Sequence, residues 1–207
     1  MAHDHPRRFS PAQAHRLDAP ERRLWLPIEP VLKAIELTPG MAVADIGAGT
    51  GYFALPIAQA VGSSGRVSAV DVASEMLALL NEKILTAGIT NIDCVRGEAE
   101  ATGLESAAFD RVLLANIWHE VDDRSATLKE AARLLRPEGR IVILDWSPDV
   151  PASGATQPGP PIEHRIPLSE VRRQLAGSDW GISFAGAIGE YSWLVLATRP
   201  FALRSAG

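Results

Sequence analysis

The chain has 207 residues, 46% of them apolar, which suits one globular core and is too short for two ordinary domains. Its 20 Lys and Arg against 25 Asp and Glu leave a formal charge of -5, so it offers no general attraction to nucleic acid or an anionic membrane surface. The single cysteine, Cys94, permits no intramolecular disulfide; with no cationic stretch leading into an apolar run, and no run near the ~20 residues of a bilayer span, the expected compartment is the cytoplasm.

Residues 1–20 mix His3, His5, Pro6, Arg7, Arg8 and Pro11 without an apolar period and read as a polar arm; the arm is taken to run to residue 27 and a single domain to span 28–207. Ile28, Val31, Leu32, Ile35 and Leu37 then share one helical face, which Thr38-Pro39-Gly40 stops. Residues 41–46 form a short apolar strand ending on a glycine cluster, and 52–61 have helical spacing closed by Gly62. A second strand covers 66–72. Ser74 can cap a helix to about Ala87, ended by Gly88, before a third strand at 92–96. A fourth strand is expected at 109–116, a helix capped by Asp122 or Asp123 as far as about Leu135, and a fifth strand at 140–145. Such alternation implies a parallel sheet wrapped by helices. Residues 147–161 are rich in Pro, Gly, Ser and Thr and form an unusually long loop. A short helix at 168–176 follows, and 182–188 with 192–198, joined through Gly189 and Glu190, read as an antiparallel hairpin.

The segment VADIGAGTGYF, 43–53, sets Gly47, Gly49 and Gly51 between a strand and a helix. Glycines there let the backbone turn tightly and approach a ligand, while the helix start offers free amides. Asp71 ends the next strand about 20 residues on, where a carboxylate can accept from both hydroxyls of a ribose. A dinucleotide fingerprint wants a further glycine where this chain has Tyr52. Asp45, two residues before the first glycine, would repel a diphosphate but can orient an ammonium group. A cation-bearing nucleoside ligand is therefore favoured over a nicotinamide dinucleotide; an NAD(P)-binding oxidoreductase, or a cofactor-binding protein without transferase activity, remains the alternative.

With its VxDxGxGxG turn the chain resembles the class I S-adenosylmethionine-dependent methyltransferases, most of all the small-molecule, type 11-like group, over roughly residues 31–199. The resemblance implies an α/β fold with a Rossmann-like, doubly wound sheet of seven strands, five parallel and a C-terminal antiparallel hairpin, and S-adenosyl-L-methionine as cofactor. By similarity Asp45, Gly47, Gly49 and Gly51 would hold the methionine part, Asp71 the ribose, and Val72 would pack on adenine. RGEAE, 96–100, stands where the family has a Gly-Asp-Ala run, so Glu98 would accept from the adenine amino group and Ala99 lie against the ring. FDRVLLANIWHEV, 109–121, resembles the fourth strand and brings Asn116 near the sulfonium end; LLRPEGRIVILDW, 134–146, resembles the approach to the fifth.

Methyl transfer is an in-line displacement in which alignment supplies much of the acceleration, so no fixed catalytic motif is required. Where the acceptor needs a base, His119 follows the fourth strand on the ligand-binding edge of the sheet. Trp25, Trp118 and Trp146 could wall an apolar acceptor pocket, with His164 and Arg165 beyond the long loop. The chain lacks the Asn/Asp-Pro-Pro-aromatic run of amino-methylating enzymes after the fourth strand, and it has too few cysteines for arsenite chemistry. Asp145 and Asn116 show no metal-ligand spacing, so no metal is expected. The expected acceptor is a small molecule, with neither nucleic acid nor membrane as partner; the oligomeric state stays open.

Overall fold

A computed structural model describes residues 9–150 and 158–199. Seven strands form one sheet: β1 (Ala42–Ile46), β2 (Arg66–Asp71), β3 (Ile92–Arg96), β4 (Phe109–Ala115), β5 (Leu135–Trp146), β6 (Gly181–Ile188) and β7 (Ser192–Thr198). Their order is β3-β2-β1-β4-β5-β7-β6. The first five run parallel, and β7 lies antiparallel between β5 and β6, so the closing hairpin attaches by its second strand. β1 is buried at every position, as expected of a central parallel strand covered on both faces. Its side chains alternate: Val43 enters one core with Ile57, Leu80 and Ile84, while Ala42, Ala44 and Ile46 enter the other with Leu128, Leu134 and Val171.

The helices supply those faces. α2 (Ile28–Ala34), α3 (Ala54–Val61) and α4 (Ser74–Ala87) contribute to the first core, α5 (Arg124–Leu134) and α6 (Leu168–Ala176) to the second. This double winding places a crevice above the carboxyl ends of β1 and β4, where the strand order reverses.

Several local expectations are corrected or narrowed, two of them by long-range contacts. The helix foreseen to Leu37 stops at Ala34, because the Arg111 guanidinium takes the Ile35 and Glu36 carbonyls. Ser74 is not the cap of α4: Ala73 is, and its amide donates to Asp71 Oδ1. Asp123, of the two candidates, caps α5 by accepting from the Ala126 amide. β5 begins five residues early, since Leu135 pairs with Phe109 before the ladder shifts to Arg111–Arg140.

The supposed arm also takes shape within the described residues. Pro11–Leu17 is a 3-10 helix and Arg22–Trp25 the short α1. Neither has an apolar period; both are held by partners elsewhere, as Asp18 accepts from Thr50 Oγ1 and Lys83 Nζ, and Arg22 stacks on Tyr52 at 4.0 Å. His3, His5 and the other residues of 1–8 lie outside the described residues, as do 151–157 of the long loop.

Candidate active site

The turn after β1 is lashed to the end of β2. The Gly47 and Ala48 amides donate to the Val70 carbonyl, and the Gly49 amide to Asp71 Oδ2 at 2.8 Å. All three glycines have positive φ, which costs glycine nothing and other residues strain. Their purposes differ. Gly47 and Gly49 line the cavity, and a Cβ on Gly47 would come within 2.5 Å of Ile117. Gly51, expected at the ligand, is instead a packing residue: it does not line the cavity, and a Cβ there would overlap Leu80 of α4.

The cavity holds about 760 Å³ and runs from this turn across the ends of β4 and β5 to the segment 158–164. Asp45, Asp71, Val72, Glu98, Ala99, Asn116 and His119 all line it, together with Trp25, Trp146 and His164. Trp118 does not. In the turn after β4, Ile117 and His119 point into the cavity while Trp118 points the opposite way, fully buried in the α5/α6 core beneath Arg124.

Two of the polar side chains lining the cavity have atoms without a hydrogen-bond partner. One Asp45 carboxylate oxygen has no hydrogen bond, and burial, reinforced by the Asp71 charge, pushes its pKa up to about 7. Asn116 sits at φ 59 with both side-chain amide atoms unpaired, while its backbone amide is fixed to Leu144 O. Buried unpaired atoms of this kind, at a strained residue, mark a place built for a ligand. An anionic carboxylate beside an amide suits the ammonium and carboxylate of an amino-acid tail.

At the other end His119 Nδ1 lies 2.8 Å from Asp145 Oδ1, whose carboxylate also accepts from the His119 and Trp146 backbone amides. Burial alone would lower the His119 pKa, but Asp145 outweighs it and holds the imidazole above its usual range. With Nδ1–H given to Asp145, Nε2 is left as the acceptor. Glu120 Oε1 stands 3.6 Å from that atom, and burial pushes the Glu120 carboxyl up to about 7. Sequence reasoning missed this partnership: Asp145 stands one residue before the end of β5 just as His119 follows β4, and the adjacency of those strands is the one signal that could have joined them. The segment before Ile28, expected to contribute contacts here, lines the cavity with Trp25 and also with Phe9, Gln13, Leu17 and Arg22, which the sequence did not single out. Among the described residues no group of three or more His, Cys, Asp or Glu is placed to hold a metal ion.

A family model described as a methyltransferase domain matches residues 44–143. A demethylmenaquinone methyltransferase of Shouchella clausii is 33% identical over 172 residues, covering 82% of this chain and 68% of that protein. One from Staphylococcus aureus is 31% identical over 171 residues, covering 83% and 66%. A solved SAM dependent methyltransferase from Aquifex aeolicus superposes with a TM-score of 0.86 at 29% identity, over 93% of this chain and all of that one. The chain belongs to the S-adenosylmethionine-dependent methyltransferases. The methyltransferase therefore uses S-adenosylmethionine, and these relatives support no nicotinamide-linked activity. It spans about two thirds of the length of the curated relatives named here.

Proposed function

We propose that the methyltransferase moves the methyl group to a small molecule whose accepting atom bears or adjoins an acidic proton, with His119 as the base. The observation that carries this is His119, held by the buried Asp145, lining the same cavity as the glycine turn. When bound, S-adenosylmethionine supplies a methyl group on a positively charged sulfur, an electrophile with a neutral leaving group. Asp45 and Asn116 hold the amino-acid tail, Asp71 the ribose hydroxyls, and Val72, Glu98 and Ala99 the adenine. His119 Nε2 would take the proton of the accepting atom, and Asp145, bonded to Nδ1, would stabilise the imidazolium.

The curated relatives are named for demethylmenaquinone, which makes a ring quinol the first acceptor to try. The acidic balance supports a small molecule over nucleic acid, and among the described residues no helix is long and apolar enough to cross a membrane. We place the enzyme in the cytoplasm and treat residues 1–27 as an arm serving the domain at 28–207. Methyl-labelled cofactor offered with a reduced demethylmenaquinone, a metabolite pool, nucleic acid and a protein extract should deposit label in the quinol or metabolite fraction. Label confined to nucleic acid or protein would reject the reading.

A further inference from the structure

The segment between β5 and α6 starts at Ser147, and a single side chain ties that start to residues 158–160. Arg165 is 5% exposed, yet its guanidinium meets three backbone carbonyls: Nη1 donates to Ser147 O at 3.0 Å, Nε to Pro160 O at 3.0 Å and Nη2 to Pro158 O at 2.6 Å. The same group lies 5.7 Å from the centre of the Trp146 ring. Gly159 also lies against this ring, with φ 91 and room for no Cβ, since one would come within 2.6 Å of the Trp146 ring. Trp146 in turn packs on Trp25 at 5.4 Å, their planes tilted by 41°. Trp25, Trp146 and residues 158–161 all line the cavity, and Trp146 follows directly on Asp145, the partner of His119, to which its amide donates.

We infer that Arg165 is the positioning residue of the acceptor subsite: by clasping both ends of this loop it sets Trp146 and residues 158–161 as a flat wall that accepts an unsaturated ring. Three charge-assisted bonds to carbonyls from two separate stretches of chain fix the wall more firmly than the sequence of the loop could. A planar ring gains from the aromatic faces, whereas a flexible aliphatic acceptor of equal size would not match them. The inference rests on the methyltransferase reading but concerns the acceptor end alone.

The test uses 2-naphthol as a ring probe, with binding to the full chain saturated with S-adenosylhomocysteine followed by tryptophan fluorescence. Arg165→Met should weaken probe binding at least tenfold, with cofactor affinity by calorimetry within twofold of the parent. Arg165→Lys, which keeps the charge and one or two of the three bonds, should recover part of the loss. With a turned-over ring acceptor, the same variants should raise KM more than they lower kcat. Should Arg165→Met fail to fold, Gly159→Ala tests the same wall by pushing it off Trp146 without touching the guanidinium, and should weaken the probe comparably. Unchanged probe affinity in a folded variant of either kind would overturn the inference, as would parallel loss of cofactor binding. A parent enzyme that binds cofactor and methylates a non-ring metabolite, but not 2-naphthol, would also overturn it while leaving methyl transfer intact.

Discussion

At the scale of single residues, the site separates its ligands by charge. The Asp45 end offers a carboxylate and the Asn116 amide, while the His119 end offers an imidazole held by one carboxylate and faced by another. Because Asp145 raises the His119 pKa, the base form appears only as pH climbs past the usual histidine range. The kcat profile should therefore rise with pH through that elevated value. Asp145→Asn removes the group that raises it, so the rising limb should move to lower pH while the plateau falls, since the imidazole loses the partner that fixes its tautomer. His119→Gln should reduce kcat by roughly 10² to 10⁴ with little change in cofactor affinity, the usual range for loss of a positioned acid or base. Steady-state rates from pH 5.5 to about 9 and calorimetry of the cofactor check both; a His119→Gln enzyme with normal kcat would remove the base.

At the scale of elements, one turn does two jobs that the spacing of its glycines did not separate. Gly47 and Gly49 give the ligand access to backbone, whereas Gly51 lets α4 close on the turn through Leu80. Gly51→Ala should destabilise the fold by roughly 2 kcal/mol through overpacking and positive-φ strain. Gly88, which ends α4 in the ordinary left-handed region with open space around it, should lose less when changed to Ala. Urea unfolding of the two variants decides this, and equal losses would mean that strain alone matters. Elements whose order comes from their own periodicity, such as β3 and α4, were legible in the sequence almost to the residue. Those whose order comes from distant partners were not. Nothing near Ile35 announces that Arg111, many residues later, will end α2, and nothing in Pro11–Leu17 announces that Asp18 will be held by Thr50 and Lys83. Trp118 was misplaced for a related reason: in a turn between strand and helix neither period applies, so which of two neighbours faces the cavity depends on the completed fold.

At the scale of the whole molecule, the titrating groups pull stability in opposite directions. Asp45 and Glu120 have folded values near 7, above their ordinary 3.8 and 4.5, so the folded state holds protons that the unfolded chain has released. Their effect is a loss of stability as pH rises from about 4 to about 7. His119 adds to it, its contribution being full below 6.5 and lost as pH rises through its elevated folded value. Glu130 works the other way: although burial opposes it, bonds from Arg133 and Thr102 bring its carboxyl down to about 2, so its contribution is present above 4.5 and lost as pH falls toward 2. The ligand-free protein should accordingly be most stable in mildly acid solution, near pH 5, and S-adenosylmethionine should stabilise it more at pH 8 than at pH 5, because its cationic groups favour the ionised Asp45. Thermal melts across pH 4 to about 9, with and without cofactor, test this; an optimum above pH 8 without ligand would contradict it.

The placement of β7 between β5 and β6 has a consequence for how the molecule is made. Asp145 and Trp146 are registered against Trp193 and Ser192 of β7, which is synthesised after the other six strands of the sheet. Until it emerges, β5 carries its run Ile141, Val142, Ile143 and Leu144 along an open edge, the kind of surface that pairs with other chains. Synthesis therefore passes through a stage in which the glycine turn and its strands already exist while the wall beyond β5, and with it the setting of the His119–Asp145 pair, does not. The β6–β7 hairpin both seals that edge and completes the setting of the pair, so competence waits on its pairing with β5.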